Sequence, residues 1–343
     1  MDRFELIHLG WDGVWASRLE EFPHSGLLGR ISRVERGECD VLLETGLIRA
    51  QSDSQRAQSQ TAPVTGDWVT IVESGPNWMI EAVLERRTEL VRRDPGERET
   101  QQPLSANVDI VFLVHGFDRP FRAGKLERFL VLAWNAGATP VVILTKSDLA
   151  TAEQRVELPA VVAAVSPGVE VVVTSIESGE GLDRIEALLA PHKTGTMLGE
   201  SGAGKSSLVN ALLDEDVQAT AAVRRGDAKG RHTTITRDLL VLSEGGVLID
   251  TPGIRAVGLW DAQDALEKVF SDILDIAADC KFRDCAHDAE PSCAVRDAVD
   301  AEQLDARRLD RFRAMTAELE ESEQRLVERE RSGNARKGGE RRR

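Results

Sequence analysis

Short runs of alternating apolar and polar residues fill positions 26–85. Turn-forming Gly, Asp and Asn separate five of them, namely GLLGRISRVE, CDVLLETG, LIRAQ, DWVTIVES and NWMIEAVLE. Runs of this length, rich in β-branched and aromatic residues and bounded by turn residues, predict strands. Five short strands in one segment predict a small barrel, for which the OB-fold is a five-stranded example that often binds nucleic acid. A β-domain without a binding role would have the same pattern.

A different pattern begins after residues 92–107, whose sequence RRDPGERETQQPLSAN predicts a linker. Continuous apolar, β-branched runs occur at 108–115, 140–145 and 169–174. Such unbroken runs predict strands that are buried on both faces of a parallel sheet. Helical patterns lie between them, for example KLERFLVLAWNAG at 125–137, which ends on a glycine. This alternation predicts an α/β domain with helices on both faces of the sheet.

From about residue 262 onward the pattern is helical. One apolar stripe runs along a long charged segment, at positions Leu309, Phe312, Met315, Leu319 and Leu326. Spacings of three, four and seven residues place these side chains on one face of a helix. We expect this face to pack on its own domain, and a coiled coil with a partner is the alternative.

Composition and charge narrow the class of protein. The 343 residues include no apolar run near the roughly 20 residues that span a bilayer. The N-terminus lacks the basic-then-apolar layout of a signal peptide, so we expect a cytoplasmic protein with no membrane segment. The net charge of −15 excludes a uniformly basic surface for nucleic acid. Two local basic patches, at 224–232 and 331–343, still allow RNA binding.

The stretch GESGAGKS at 199–206 fits the pattern G-x-x-x-x-G-K-[ST] and lies between an apolar strand and a helical run. In such a loop, backbone N–H groups surround the phosphates and the helix N-terminus adds positive potential. Lys205 would bridge the outer phosphates and so contribute to catalysis, and Ser206 would hold Mg²⁺. The motif and its context therefore predict a nucleotide site.

A second phosphate-side motif is VLIDTPG, a buried strand that ends in Asp250 and Gly253. In this Asp-x-x-Gly arrangement the acid lies near Mg²⁺ and the glycine N–H contacts the γ-phosphate. The intervening segment GRHTTITRD, at 230–238, is the candidate for the loop whose threonine completes the Mg²⁺ shell. Spacing alone does not choose among Thr233, Thr234 and Thr236, and Thr234 is our working assignment.

The base-reading residues lie upstream of the phosphate loop, where a strand ends in Thr145-Lys146-Ser147-Asp148. The Asp148 carboxylate can accept hydrogen bonds from guanine N1–H and from the 2-amino group, which adenine lacks. The next apolar strand ends in VVVTSIESGEGL, where Thr174 and Ser175 begin a loop that would contact guanine O6 through its backbone. Either stretch alone would also fit an ordinary surface loop, but together with the phosphate loop they predict guanine recognition.

The order of these loops is unusual because the base-reading loops precede the phosphate loops, whereas ordinary GTPases have the reverse order. The sheet would be the same in space with the chain cut elsewhere, which is a circular permutation of a P-loop GTPase domain. The Asp-x-x-Gly loop then leads directly into the C-terminal region, so its ordering can reposition that region. The predicted GTP-binding residues are Thr145, Lys146, Ser147, Asp148, Thr174, Ser175, Gly199, Glu200, Ser201, Gly202, Ala203, Gly204, Lys205, Ser206, Ser207, Asp250 and Gly253.

Three of the four cysteines lie within 14 residues, together with a histidine, at Cys280, Cys285, His287 and Cys293. Three thiolates and an imidazole can close a tetrahedral Zn²⁺ shell with no open position. The cluster therefore predicts one structural zinc per chain, in a reducing compartment. Core thiols beside an unrelated histidine are the alternative. We interpret Cys39, in the barrel segment, as a small core residue.

Together these features resemble the RsgA family of bacterial small-ribosomal-subunit biogenesis GTPases. The resemblance spans roughly residues 25–320 and rests on VTGDWV, GRHTT, DTPGIRAVGLW and CKFRDCAHDAEPSCAV, together with the permuted motif order and the barrel. It implies GTP hydrolysis coupled to late maturation of the 30S subunit, contacts to 16S rRNA, and turnover that the subunit stimulates.

Some positions depart from the family pattern. Thr145 replaces the usual Asn of the guanine motif, so we expect guanine specificity through Asp148 with some loss of loop rigidity. The third threonine of the family's HTTT is interrupted here, in HTTIT. Ile254 stands where Ras-type enzymes have a water-orienting Gln, so the catalytic residue must come from elsewhere. His232 resembles the family's candidate, and an rRNA-contacting or solvated histidine is the alternative.

We therefore predict three domains. An OB-fold-like RNA- or ribosome-binding domain occupies 1–95, a circularly permuted GTPase domain of the α/β class occupies 96–262, and a zinc-binding helical domain with a basic tail occupies 263–343. The protein would be a monomeric GTPase that binds GTP and GDP with Mg²⁺ and serves as a late assembly checkpoint of the 30S subunit.

Two other functions compete with this one. A P-loop ATPase or kinase would not need Asp148 in the base-reading position. A zinc-bearing RNA-binding protein with a vestigial nucleotide site would not need an intact Lys205, Ser206 and Asp250.

Overall fold

The computed structural model describes residues 5–21, 25–35, 37–52, 62–93, 101–213, 238–243, 245–250 and 261–340. The chain divides into two compact units, one formed by Met1–Phe121 with Ala136–Val257 and the other by Arg122–Asn135 with Gly258–Arg343. Among the helices in these ranges, none combines the length and the apolar character that a membrane span requires.

The first unit begins with a short 3₁₀ helix and an α-helix, followed by a closed five-stranded barrel. Its elements are the 3₁₀ helix Leu6–Leu9, α1 Gly13–Glu21, β1 Leu27–Glu35, β2 Glu38–Leu43, β3 Gly46–Gln51, β4 Trp68–Ser74 and β5 Asn77–Val83. Around the barrel the strands follow the order β1-β2-β3-β5-β4. Alternate residues fill its interior, including Ile31, Val41, Val69 and Ile71. The prediction of a five-stranded barrel is confirmed.

An antiparallel hairpin follows the barrel, with strands β6 Glu89–Arg93 and β7 Gln101–Ala106. Leu90, Leu104 and Ala106 are buried in it, and the Ala106 N–H donates to the Thr65 carbonyl at 3.0 Å. The prediction of a linker over 92–107 is therefore wrong for residues 92–93 and 101–106. Polar residues outnumber apolar ones in this segment, so the alternation that identifies a strand was too short to recognise.

The rest of the first unit is a six-stranded sheet in the order β10-β9-β8-β11-β13-β12. Its pairs are parallel except for β12 with β13. The successive elements are β8 Ile110–Gly116, β9 Thr139–Thr145, α2 Ala152–Val165, β10 Glu170–Val173, α3 Leu182–Leu189, β11 Thr194–Gly199, α4 Lys205–Leu212, β12 Asp238–Val241 and β13 Val247–Asp250. The prediction of a mostly parallel α/β sheet is confirmed.

Aliphatic side chains of the strands and of α3 and α4 form one apolar core, which includes Phe112, Ile143, Ile185 and Leu208. Because β8, β9, β10, β11 and β13 are parallel, their carboxyl ends lie along one edge of the sheet. Ligands of open α/β sheets bind outside the carboxyl ends of the strands. This edge carries the residues predicted to bind a nucleotide.

Two arginines of β1 reach from the barrel to other parts of the first unit. Arg30 is buried and donates to the carbonyls of Gly66 (3.1 Å), Asn107 (3.2 Å) and Leu9. Arg33 forms a bidentate pair with Asp238 of β12, with N···O distances of 2.6 and 2.8 Å. A buried guanidinium needs hydrogen-bond partners for its donors. The Arg33–Asp238 pair therefore joins the barrel to the sheet, and Arg30 joins the barrel to the segments that flank its strands.

The second unit is helical, with α5 Ala123–Asn135, α6 Gln263–Val269, α7 Ser271–Ala277, α8 Ala294–Asp300 and α9 Ala306–Glu340. Fully buried Glu127 accepts hydrogen bonds from Arg308 at 2.9 Å and from Arg311 at 2.5 Å. The predicted apolar stripe is buried at Leu309, Phe312, Met315 and Leu319, and Phe312 packs on Phe270 with ring centroids 5.4 Å apart. The stripe packs on its own unit, as predicted; the side chain of Leu326 lies outside the described residues.

Candidate nucleotide site and metal centre

The phosphate-loop motif forms the predicted strand, turn and helix. Strand β11 ends at Gly199, and α4 begins at Lys205. Gly204 precedes the helix with φ +97°, a left-handed conformation that favours glycine. The Lys205 ammonium donates to the carbonyls of Gly199 and Glu200, each at 2.8 Å. The lysine therefore lies against the loop in which phosphates are predicted to bind.

The residues predicted to bind Mg²⁺ fall partly within the described structure. Ser206 and Ser207 are exposed in the first turn of α4. Asp250 ends β13, which pairs with β11 beside the phosphate loop. Asp250 therefore ends β13, and Ser206 comes shortly after the neighbouring strand β11. Both residues are exposed at the same edge of the sheet. The candidate Mg²⁺ threonines Thr233, Thr234 and Thr236 lie outside the described residues, as do Gly253, which is predicted to contact the γ-phosphate, and the catalytic candidate His232.

The base-reading loop after β9 is bonded directly to the phosphate loop. The Thr145 hydroxyl donates to the Ala203 carbonyl at 2.6 Å, and the Lys146 ammonium donates to the Gly202 carbonyl at 2.9 Å. Lys146 has φ +62°, a left-handed conformation that is uncommon for a residue with a side chain. Backbone strain of this kind costs about 1–3 kcal/mol and persists where surrounding contacts hold it. The two side-chain contacts anchor the strained turn on the phosphate loop.

The two predicted base-reading loops are also bonded to each other. The Ser175 hydroxyl donates to a carboxylate oxygen of Asp148 at 2.5 Å. The Ser147 N–H donates to the Thr174 carbonyl at 3.2 Å, and the Thr174 N–H donates to the Leu144 carbonyl at 2.8 Å. Asp148 is exposed, whereas Ser147, Thr174 and Ser175 are buried. The carboxylate is thus held in one orientation at an accessible position.

Sequence analysis missed a residue that braces both base-reading loops. The Glu180 side chain accepts a hydrogen bond from the Ser147 hydroxyl at 2.5 Å and pairs with Arg155. Its carbonyl accepts the Ser175 N–H at 3.1 Å. The hydrogen bond from Ser147, followed by that from Arg155, lowers the pKa of Glu180. The carboxylate in SGEGL, beside a predicted base-reading loop, was the signal that could have found it.

Asp118 and Arg119 were also missed, although they lie beside the phosphate loop. They follow β8, whose carboxyl end lies at the same edge as those of β9 and β11. Arg119 donates to the carbonyls of Ser201 and Gly202. A charged pair directly after an apolar strand, in HGFDRP, was the signal in the sequence.

In the second unit, the four predicted metal ligands lie together. Their ligand atoms are all within 4.8 Å of one another, in the set Cys280, Cys285, His287 and Cys293. The Cys280 and Cys293 sulfurs are 3.9 Å apart, and the His287 Nδ1 lies 3.7 and 3.4 Å from them. Tetrahedral Zn²⁺ with Zn–S bonds of about 2.3 Å separates its sulfurs by about 3.8 Å. Donor set and spacing therefore fit zinc.

The loop that presents these ligands is held by Glu290. Its carboxylate accepts the backbone N–H groups of Ala286 (3.0 Å), Asp288 (2.9 Å) and Ala289 (3.1 Å). These bonds and one from its own N–H lower the pKa of Glu290 to about 2. Burial lowers the pKa of His287, which favours the neutral imidazole that metals require. The acidic loop thus supports the cluster without contributing a ligand.

Comparison with known sequences gives consistent matches. Residues 83–260 match the RsgA GTPase family. The chain is 46% identical over 316 residues to the small ribosomal subunit biogenesis GTPase RsgA of Streptomyces avermitilis, which covers 91% of this chain and 85% of the relative. A relative of the same name from Methanosarcina acetivorans is 38% identical over 313 residues, covering 90% of this chain and 84% of the relative.

Two solved structures are similar as well. YjeQ from Thermotoga maritima has a TM-score of 0.65 and 26% identity, covering 86% of this chain and 99% of that chain. YloQ, described as a circularly permuted GTPase, has a TM-score of 0.61 and 28% identity, covering 88% and 96%. The prediction of a permuted GTPase sheet behind an N-terminal barrel is confirmed by this likeness and by the strand order. The alignment with the Streptomyces avermitilis relative covers nine-tenths of this chain at 46% identity. The chain is therefore a GTP-hydrolysing enzyme and belongs to the RsgA GTPase family.

Proposed function

We propose that this enzyme is a late assembly checkpoint of the 30S ribosomal subunit, binds 16S rRNA, and hydrolyses GTP faster when docked on the subunit. The proposal rests on one observation: the chain is 46% identical, over 91% of its length, to a relative named for small ribosomal subunit biogenesis. We further propose that it works in the cytoplasm as a monomer.

Guanine recognition is assigned to Asp148. Its carboxylate is oriented by the 2.5 Å hydrogen bond from Ser175 and is exposed at the sheet edge. Two donors on guanine, N1–H and the 2-amino group, match a carboxylate, and adenine offers neither. Lys146 precedes it by two residues, with its ammonium bound at 2.9 Å to the Gly202 carbonyl, and its stem would pack along the base. These features favour GTP and GDP over adenine nucleotides.

Phosphate binding is assigned to the loop Gly199–Gly204 with Lys205, Ser206 and Ser207. The first turn of α4 points its backbone N–H groups toward the loop, and the Lys205 charge adds to their positive potential. Ser206 and Thr234 would hold Mg²⁺, with Asp250 as the nearby acid, and the metal would supply positive charge to the phosphates. Lys205 and the loop N–H groups would bind the same phosphates. Gly253 would sense the γ-phosphate.

The residue proposed to orient the attacking water is His232, within the basic segment 224–232. A histidine can orient or deprotonate water, and Ile254 cannot. We propose that rRNA docking orders this segment through its arginines and lysine and brings His232 toward the γ-phosphate. Positioning of this kind dominates catalysis of phosphoryl transfer.

The same basic segment and the C-terminal tail are the proposed rRNA contacts. Several barrel arginines are already neutralised: Arg49 pairs with Glu38 at 2.7 Å and with Asp40 at 3.1 Å, and Arg86 pairs with Asp67 at 2.7 Å. Paired guanidinium groups contribute less to phosphate binding than unpaired ones. The OB-fold-like domain at 1–95 would therefore add shape and polar contacts more than charge.

The Cys/His cluster is proposed to hold one structural Zn²⁺ in a domain at 263–343. The donor set leaves no open position, so no catalytic role is assigned to the metal. The GTPase domain is proposed to span 96–262 between the other two.

The test is a turnover assay with and without 30S subunits. Wild-type protein should hydrolyse GTP slowly alone and much faster with subunits, and ATP should not compete. His232→Ala should bind subunits without the stimulation, and Arg184→Ala, an exposed charge change on α3, should behave as wild type. Equal rates with and without subunits would overturn the proposal. Subunit binding without any turnover would favour a zinc-bearing RNA-binding protein with a vestigial nucleotide site.

A further inference from the structure

The loop after β8 folds back on itself at Gly116. A Cβ at this glycine would lie only 2.4 Å from Oδ1 of Asp118, so a side chain here would displace the carboxylate. Without a Cβ at Gly116, the Asp118 carboxylate can lie against the backbone of the last residue of β8. The chain therefore has the local geometry that this approach requires.

Arg119 uses its guanidinium to bind two consecutive carbonyls of the phosphate loop. One terminal nitrogen donates to the Ser201 carbonyl at 2.9 Å, and the other donates to the Gly202 carbonyl at 2.7 Å. Hydrogen bonds from a charged donor are roughly twice as strong as neutral ones. The fork of the guanidinium also fixes direction, because its donors lie in one plane.

Asp118 connects this arginine to the base-reading loop. Its carboxylate accepts from Nε of Arg119 at 3.2 Å and from the Lys146 ammonium at 2.7 Å. Lys146 in turn donates to the Gly202 carbonyl. Two cations thus share one carboxylate and converge on the same stretch of the phosphate loop.

Binding these carbonyls also orients the N–H groups of the loop. In a planar trans peptide the C=O and N–H bonds point in opposite directions. Fixing the carbonyls of Ser201 and Gly202 on the Arg119 side therefore turns the N–H groups of Gly202 and Ala203 away from Arg119, where the Ala203 N–H donates to the Glu200 carbonyl at 3.2 Å within the loop. In a phosphate loop these N–H groups surround the α- and β-phosphates.

We propose that Arg119 is a positioning residue of the nucleotide site, which orients the peptide groups of Ser201 and Gly202 for the β-phosphate. Arg119 contacts the phosphate loop and not the base-reading loop's carboxylate Asp148. Its contribution to nucleotide affinity should therefore depend on how many phosphates the nucleotide carries. This inference rests on the proposed nucleotide site.

The experiment compares GDP with GMP. Both contain guanine, but GMP lacks the β-phosphate. In Arg119→Ala the affinity for GDP should fall about tenfold, and the affinity for GMP, which keeps only the α-phosphate, should fall by a smaller factor. Arg119→Lys keeps the charge but loses the fork, so it should recover part of the GDP affinity. Arg184→Ala removes an exposed arginine that pairs with Glu170 on the same unit, and both affinities should stay at their wild-type values.

The outcomes separate this inference from the proposed function. Unchanged GDP affinity in Arg119→Ala, or equal losses for GDP and GMP, would overturn the positioning role while wild-type binding of GDP keeps the proposed site. Failure of the wild-type protein to bind GDP would overturn both. If Arg119→Ala does not fold, the ratio of GDP to GMP affinity in Arg119→Lys carries the test, and a wild-type ratio rejects the inference.

Discussion

The nucleotide edge of the first unit and the Cys/His cluster of the second unit hold their functional groups by different means. At the edge, each loop is bonded to another loop, as in the 2.6 Å contact of the Thr145 hydroxyl with the Ala203 carbonyl. In the cluster, the ligand atoms lie against one another, with the sulfurs of Cys280 and Cys293 3.9 Å apart. Protein contacts preorganise the edge, whereas thiolates so close together need a cation to balance their charge.

The largest effect should come from removing a ligand of the cluster. Structural zinc contributes about 10–16 kcal/mol in small zinc-dependent peptides, so Cys293→Ala should lose the metal and unfold the second unit. Zinc analysis and circular dichroism would measure this, with GDP binding to the first unit retained. Cys39→Ala is the matched control, because Cys39 is equally buried but lies in the barrel core. A metal-free protein with full helical content would contradict the expectation that the metal holds the second unit folded.

The next largest effect should come from Asp148→Asn, which exchanges an acceptor for a donor facing the guanine amino group. Two hydrogen bonds to a charged group are each worth about 1.5–3 kcal/mol, so GTP affinity should fall at least about a hundredfold. Xanthosine triphosphate should bind better than GTP, since its 2-position carries an acceptor. Asp183→Asn, an exposed change in the first turn of α3, is the control and should leave both affinities unaltered. Wild-type GTP affinity in Asp148→Asn would reject the assignment.

A smaller effect should come from the hydroxyl of Thr145. Thr145→Val keeps the shape of the side chain but removes the bond to the Ala203 carbonyl and leaves that buried acceptor unpaired. GDP should dissociate about tenfold faster, corresponding to about 1.4 kcal/mol. Thr145→Ser keeps a hydroxyl and should stay close to wild type in stopped-flow dissociation. Similar rates in both variants would mean that the contact does not support the loop.

The smallest effect should appear in the pH dependence of stability. Hydrogen bonds from Arg119, and then from Lys146, lower the pKa of Asp118 to about 2 from 3.8. A carboxyl with a lowered pKa stabilises the fold above its ordinary pKa, and that stability is lost as the pH falls toward 2. With 30% of the side chain exposed, screening should limit the contribution to under about 1 kcal/mol.

Urea unfolding of wild type and Asp118→Asn would measure this difference. The stability gap should be constant between pH 5 and 7, shrink below about pH 4, and vanish near pH 2. A gap that widened on acidification would show that the carboxylate is not stabilised by these cations.

Much of the edge could be predicted from sequence because its motifs are local. The glycines and lysine of the phosphate loop, and Asp148 at the end of a β-branched run, specify strand, turn and helix within a few residues of themselves. The same holds for the Cys/His spacing, where one short loop carries all four ligands. The fold class followed from the apolar runs and helical patterns, and the permuted order followed from these motifs.

The bracing residues could not be predicted in the same way. Arg119 contacts carbonyls more than 80 positions away in the sequence, and the carbonyl of any residue would be an equal partner. Glu180 was not singled out because its role depends on Ser147 in a different loop. The expected loss of rigidity from Thr145 was inferred without the 2.6 Å bond that the hydroxyl makes. A charged residue after an apolar strand, as in HGFDRP, marks a candidate position, but the sequence does not name the backbone atoms that it contacts.

The order of strands in the sheet also has a consequence for folding during translation. β8, β9 and β10 form one half of the sheet, and β11, β12 and β13 form the other. The base-reading half is synthesised first, and its β8 edge stays unpaired until β11 has left the ribosome. An unpaired apolar edge strand invites pairing with other chains. A nascent chain therefore passes through a stage that holds the guanine-reading loops, lacks the phosphate loop, and depends on rapid arrival of β11 to avoid association with its neighbours.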